Sequence, residues 1–240
     1  FKKFFNLSDY FHFMQGTLVN AVAVVVGSLI GIFLRGRFPD RVKSIVFQGI
    51  GLVTLFIGFQ MAMKTGNLVV LFFSMLIGAI IGELLNIEGH IEGFGNLIKS
   101  KISAREDKFV EGFITAFLIF CMGSMTIVGS IEDGLNGNPS ILYAKSMLDG
   151  FASISLASVL GVGVLFSAIP LLLYQGGITL LASLSKVFFT EAVINELSAT
   201  GGIILIGLGI NLLEIRKIRV ANLLPSLLVS ATITYVLPYL

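Results

Sequence analysis

Residues 17–34 read TLVNAVAVVVGSLIGIFL, an uncharged apolar run that ends at Arg35. A run of this length, folded as a helix, is close to the ~20 residues needed to cross the ~30 Å hydrocarbon core of a bilayer. Similar runs follow, and apolar residue types make up 55% of the 240-residue chain. Charged residues supply only 12%, about half of the ~25% usual in soluble domains. The composition therefore indicates a membrane protein with several spans, and a net charge of +2 is too small for a nucleic-acid-binding surface.

Charged and turn-forming residues divide the chain into eight candidate spans. These are residues 17–34, 44–63, 68–85, 109–131, 146–166, 169–189, 199–213 and 220–240. Because lipid offers no hydrogen-bond partners to backbone N–H and C=O groups, each span is expected to be helical. The predicted fold class is all-α, a polytopic transmembrane bundle of about eight helices.

The distribution of Lys and Arg gives an independent test of this number. Loops retained in the cytoplasm carry an excess of positive charge. With eight spans, one side of the membrane holds eleven Lys or Arg residues and the other side holds five. This asymmetry favours eight spans with both termini outside over a seven-span arrangement, which divides the basic loops between the two sides.

Two segments outside the spans are expected at the membrane surface. Residues 1–13 combine aromatic side chains with two lysines and are predicted to be an interfacial extension, or an upstream addition to a chain whose relatives start at Met14. Residues 86–108 carry isoleucine and phenylalanine at helical spacing beside basic residues, which predicts an amphipathic surface helix. Ser103 and Glu106 have the spacing of a capping box for the helix that follows.

The two halves of the chain match weakly but in order. Gly16 aligns with Gly150 in spans one and five, and Gln48 aligns with Gln175 in spans two and six. These matches predict two four-span repeats, residues 14–131 including the surface helix and residues 132–240. Since each repeat has an even number of spans, the repeats would run parallel, related by an axis along the membrane normal.

Polar residues within the spans are the candidates for function because they cost free energy in lipid unless they are paired. The amides of Asn20, Gln48 and Gln175 either line a path for a solute or pin helices together. Asp149 follows Lys145 by four residues, which fits an intrahelical ion pair or an acidic group at the mouth of a path.

The middle of span four carries a second kind of candidate. Its sequence from Cys121 to Thr126 is CMGSMT. A glycine flanked by hydroxyl residues can unwind a helix and turn oxygen ligands towards a cavity, so Ser124 and Thr126 are candidate ligands. The hydroxyls can equally bond back to their own helix. Asp133 lies in a stretch without EF-hand spacing, so a calcium site there is not expected, and whether any metal binds is left open.

The chain resembles the YdfK/YqgA-like family of uncharacterised prokaryotic integral membrane proteins. The resemblance covers residues 14–240 and rests on residues 16–20 (GTLVN), 123–134 (GSMTIVGSIEDG), 145–151 (KSMLDGF), 166–170 (FSAIP) and 174–176 (YQG). It implies a cell-membrane location in a bacterium or archaeon, and such proteins are often labelled transporters without an established substrate. Asn20, Ser124, Thr126, Lys145 and Gln175 lie within the shared motifs, as does Asp149.

Two classes of function follow from the sequence. A transporter or channel for a small ion or polar solute is favoured, with a non-transporting scaffold or sensor module as the alternative. We find no catalytic motif and no sign of a cofactor, so an enzyme is not expected. The many glycines within the spans allow close helix packing, within the bundle or between copies, and a homo-oligomer, most simply a dimer, is expected.

Overall fold

A computed structural model of the chain describes residues 14–35, 39–101, 108–184 and 188–236, and these residues form helices joined by short connections. The helices are α1 (Gln15–Arg35), α2 (Asp40–Ala62), α3 (Leu68–Leu84), α4 (Ile87–Lys101), α5 (Phe109–Met122), α6 (Ser124–Asn136), α7 (Ser140–Leu160), α8 (Gly163–Phe166), α9 (Ala168–Leu184), α10 (Glu191–Leu212) and α11 (Pro225–Val236), with a 3₁₀ turn at Val220–Leu223 before α11. The described residues contain no strand, which confirms the predicted all-α class.

Four segments are long and apolar enough to cross a membrane. They are Gln15–Arg35, Ser44–Ala62, Gly163–Leu184 and Glu191–Leu212. Two bent pairs raise the number to six if each pair is one span: α3 with α4, at 53°, and α5 with α6, at 57°. Four to six spans are therefore supported by length and composition, compared with the eight expected from the sequence.

The difference from eight spans lies mainly in the second half of the chain. The predicted fifth span, 146–166, is shifted, because α7 begins at Ser140 and ends at Leu160. Gly161 has a positive φ of 81°, which favours glycine and ends the helix before the short α8. The predicted eighth span starts with the 3₁₀ turn, and α11 has only 12 residues.

Helices α1 and α7 pack side by side in a parallel arrangement. A Cβ on Gly27 would lie 2.2 Å from the carbonyl oxygen of Gly150, and one on Gly31 would lie 2.3 Å from that of Ile154. At the start of the pair, Gly16 faces the side chain of Leu142. Since glycine lets two helix backbones approach this closely, these positions bring the polar face of α7 against α1.

Two further helix pairs are antiparallel and also packed through glycine. Gly58 in α2 lies against Gly202 in α10, and Gly82 in α3 lies against the backbone of Asn222. Much of the glycine in the described spans is therefore used for packing inside one chain, although Gly49 and Gly177 face open space. The predicted dimer remains a prediction.

The outer surfaces of α1, α2 and α3 are apolar and exposed, as in Val22, Phe56 and Phe72. In contrast, α5 is enclosed, and Phe109, Phe113 and Phe120 are at most 1% exposed. The apolar surfaces fit contact with lipid acyl chains, and the interior of the bundle lies around α5, α7 and α10.

A helix, α4, is present where the sequence predicts one, with Glu88 in its first turn, and its position at the membrane surface stays a prediction. Its last predicted residues, 102–107, lie outside the described residues, as do the capping box at Ser103 and Glu106 and the extension 1–13.

Candidate functional site

An ion pair lies inside the bundle, on α7. The ammonium group of Lys145 donates a hydrogen bond to Oδ2 of Asp149, one helical turn further along. Their side chains are only 5% and 11% exposed. This i,i+4 pair was one of the two interpretations that the sequence left open, and the structure places it in the interior of the bundle.

Amide side chains from two other helices extend this pair into a network. Nδ2 of Asn20 in α1 donates to Oε1 of Gln175 in α9 over 2.9 Å. Nε2 of Gln175 donates to Oγ1 of Thr17 over 3.2 Å, and the side chain of Asn20 also interacts with the carboxylate of Asp149. Because all of these side chains are buried, the interactions occur away from water, where an unmatched polar group is costly.

The structure has a helix break between α5 and α6, which was one of the two alternatives that the sequence left open. Gly123 adopts an extended conformation, with φ −62° and ψ 141°, which ends α5 and starts α6. Oγ1 of Thr126 donates to the carbonyl oxygen of Phe120 over 2.7 Å. This hydroxyl therefore caps the end of α5 and, in this conformation, is not turned towards a solute. The side chain of Ser124 lies outside the described residues.

The break lies close to the ion pair. Cys121, two residues before Gly123, is fully buried and interacts electrostatically with both Lys145 and Asp149. The interior of the bundle therefore contains the Lys145–Asp149 ion pair near the point where α5 ends and α6 begins. We call Thr17, Asn20, Lys145, Asp149 and Gln175 the central polar cluster.

The same cluster lies within the part of the chain that known proteins share. A family described as "Protein of unknown function (DUF554)" matches residues 15–235. The chain belongs to the DUF554 family. The "Uncharacterized membrane protein YdfK" of Bacillus subtilis (strain 168) is 33% identical over 228 residues, which is 93% of this chain and 97% of the relative. The "Uncharacterized protein YqgA" of Escherichia coli (strain K12) is 32% identical over 220 residues, covering 90% and 94%. No solved structure matches the chain.

The family resemblance expected from the sequence is thus confirmed. The DUF554 match includes every helix from α1 to α10 and nearly all of α11. The similarity to YdfK, which is named as a membrane protein, and the apolar helices together indicate a membrane protein.

One predicted site residue lies away from the central polar cluster. Gln48 is exposed on α2, which packs against α10, whereas Gln175 is fully buried. The sequence match that paired these two amides did not predict this difference, because their surroundings depend on which helices cover them. Of the seven candidates, Asn20, Lys145, Asp149 and Gln175 are brought together, and Thr126 lies at the nearby break.

Two buried carboxylates were not among the predicted site residues. Glu196 in α10 is 3% exposed and accepts hydrogen bonds from the backbone N–H groups of Gly66 and Asn67, at 2.7 and 3.0 Å. It also accepts from the hydroxyl of Thr65, so it orders the turn before α3. Asp133 in α6 is fully buried. The sequence signal that could have identified Asp133 as a site residue is its spacing of three residues from Ser130, which places both polar side chains on the same face of α6.

A separate polar site lies at the connection between α3 and α4. Glu83 accepts hydrogen bonds from Arg219 and Asn222, and Oδ1 of Asn222 accepts from the N–H of Glu88 over 2.7 Å. A cavity of about 540 Å³ opens beside it, lined in part by Glu88 and Lys217. These contacts tie α4 to the turn before α11, which is a structural role. No group of three His, Cys, Asp or Glu side chains in the described ranges is arranged to hold a metal ion.

Proposed function

We propose that this protein is a membrane transporter or channel for a small ion or small polar solute, with Asp149 as the group that exchanges it. The observation that supports this is the buried Lys145–Asp149 pair, joined through Asn20 to Gln175. Ionisable residues within membrane spans are rare and are typical of ion and substrate pathways.

The energetic argument favours a function over a purely structural role. Removing two charges from water costs several kcal/mol for each ion, and an apolar pair of similar volume is often as stable or more so. Two apolar residues in place of Lys145 and Asp149 would therefore give the folded protein about the same stability. A solute cation or proton that binds Asp149 competes with Lys145, so the pair can open and close as the solute arrives and leaves.

The broken helix supports the same proposal. Transporters use discontinuous helices to bring backbone carbonyl groups and helix ends to a site near the middle of the membrane. The break at Gly123 lies next to Cys121 and hence next to the ion pair. Release of Thr126 from the carbonyl oxygen of Phe120 would make both oxygens available as ligands.

The finer architecture belongs to the proposal too. We favour eight spans in two parallel four-span repeats, with both termini outside. The membrane is the inner membrane of a prokaryotic cell. The parallel packing of α1 and α7, the first helices of the two repeats, supports the parallel repeats, since an axis along the membrane normal relates parallel helices. Gln48 does not belong to the proposed path, because it is exposed on α2.

The test is electrical. Purified protein is reconstituted in liposomes, adsorbed on a solid-supported membrane and challenged with cations, anions, amino acids and polyamines across a pH step. We expect a solute-specific current that Asp149→Asn abolishes and that Gln48→Leu, the matched control, retains. Silence towards every solute, in protein shown to be folded, would contradict electrogenic transport of those solutes and favour the scaffold or sensor alternative.

A further inference from the structure

Four buried oxygen atoms near the start of α1 lack hydrogen-bond partners. They are both carboxylate oxygens of Asp133, Oγ of Ser130 and Oδ1 of Asn20, and none has a partner within the described residues. All three residues are fully buried. Since nearly all buried polar atoms in proteins are hydrogen-bonded, a group of four such atoms needs an explanation.

These oxygens come from α1 and α6, two helices that both pack against Leu142 of α7. The side chain of Leu142 in α7 lies against Gly16 in α1 and against Gly129 in α6, within 2.7 Å of where a Cβ on either glycine would be. Ser130 follows Gly129 directly. The carboxylate of Asp133, one turn further along α6, faces the backbone N–H of Gly16.

Asn20 extends the group along the other helix. It lies four residues after Gly16, so both are on the same side of α1. Its amide has two ends with different surroundings: Nδ2 donates to Gln175, and Oδ1 is left without a donor. Asn20 therefore belongs to the central polar cluster through Nδ2 and contributes an unpartnered oxygen through Oδ1.

The charges in this region do not balance. Lys145 compensates Asp149, but no cationic side chain of the described ranges forms an ion pair with Asp133. An isolated carboxylate in an apolar interior is very costly, although the N-terminal end of α1 offers some compensation. One positive charge would restore the balance.

We propose that Asp133, Ser130 and Asn20 bind one monovalent metal cation of the size of Na⁺. A carboxylate, a hydroxyl and an amide oxygen form the all-oxygen ligand set that hard cations prefer. A divalent ion would leave an excess positive charge in the interior. A proton on Asp133 would remove its charge but could satisfy only one of the other oxygens, whereas a cation can be bound by oxygens from all three side chains.

The site stands on its own geometry, but a part in transport rests on the proposed function. A cation bound to Oδ1 would fix the orientation of the Asn20 amide, and hence the hydrogen bond from Nδ2 to Gln175. The site would then couple Na⁺ to the central polar cluster, so Na⁺ would be the coupling ion or the transported ion.

The experiment measures Na⁺ binding directly on the purified full-length protein in detergent. Thermal unfolding is followed in NaCl and in choline chloride at equal ionic strength and pH, since choline is too large for a buried site. We expect Na⁺ to raise the Tm by about 3 °C at about five times its Kd, and the Tm to keep rising with the logarithm of the Na⁺ concentration above that. Asp133→Asn and Ser130→Ala should abolish or weaken this rise. Glu132→Gln, which removes the neighbouring carboxylate that bonds to Asn136, should retain it.

The Tm of each variant in choline chloride shows whether a lost Na⁺ effect results from a folding defect. Asp133→Asn removes an uncompensated charge, so in choline chloride it should unfold at the same temperature as the wild type or higher. A Tm that varies with pH but not with Na⁺ would overturn the proposal in favour of a proton site, and a Na⁺ effect retained in Asp133→Asn would overturn it as well. If Na⁺ does not raise the Tm of the wild type but the protein carries an Asp149-dependent current, the Na⁺ site is refuted and the proposed function stands. If Na⁺ raises the Tm but no solute gives a current, the Na⁺ site stands and the transport function is contradicted.

Discussion

Neutralising one member of the Lys145–Asp149 pair should destabilise the protein far more than neutralising both. Asp149→Asn leaves the ammonium group of Lys145 buried without a counter-charge, and Lys145→Gln leaves the carboxylate in the same position. The double variant leaves two amides, which can still hydrogen-bond with each other and with Asn20.

The expected magnitude follows from the burial of the pair. Exposed ion pairs contribute about 0–1 kcal/mol, but these side chains are only 5% and 11% exposed, so that range does not apply. Breaking a buried pair by removing one partner costs about 3–5 kcal/mol. We expect each single variant to lose about that much, and the double variant to lose less than either.

Reversible unfolding in mixed micelles, titrated with a denaturing detergent, measures these differences in one double-mutant cycle. The coupling energy is read from the four unfolding free energies. If the losses of the single variants add up in the double variant, the two charges act independently and our account of a dry interior ion pair is refuted. The same result would follow if water filled the region around α7.

The remaining predictions concern packing, a buried carboxylate and the two glutamines. Gly82→Ala should lower the Tm sharply, because its Cβ would lie 1.9 Å from a backbone carbonyl oxygen, whereas Gly93→Ala, with nothing within 4 Å, should leave the Tm unchanged or slightly higher in the same melting assay. Glu196→Gln should cost about 1.5–3 kcal/mol in unfolding free energy, because a charged acceptor of backbone N–H groups at the turn before α3 is lost, and an unchanged value would contradict this role. Gln175→Leu should abolish solute current in proteoliposomes while Gln48→Leu retains it, and equal currents would separate Gln175 from the path.

Sequence reasoning predicted the helical class and much of the site because each depends on local patterns. The apolar runs of α1, α2 and α10 are long enough to span a membrane, so their helices are largely determined by the chain itself. The spacing of Lys145 and Asp149 predicts their ion pair in the same local way. The break in span four was also predictable, since Gly123 and its hydroxyl neighbours favour local unwinding.

The parts that were missed depend on tertiary contacts. Gln48 and Gln175 occupy similar local sequences, and only the packing of α9 against α1 buries the second of them. Ser140 begins α7 ahead of the predicted span because helix boundaries are set by caps and packing as much as by hydropathy. The sequence pattern does not indicate that Asp133 is buried, because its burial depends on the packing of α6 against other helices, mainly α9 and α7.

The most direct test of the central claim compares solute currents from wild-type proteoliposomes with those from the Lys145→Gln/Asp149→Asn double variant. The double variant is the sharper comparison because its fold is expected to survive, so a lost current reports on the site and not on unfolding. Our account predicts a solute-specific current in the wild type that is absent from the folded double variant. Equal currents from the two proteins would contradict it.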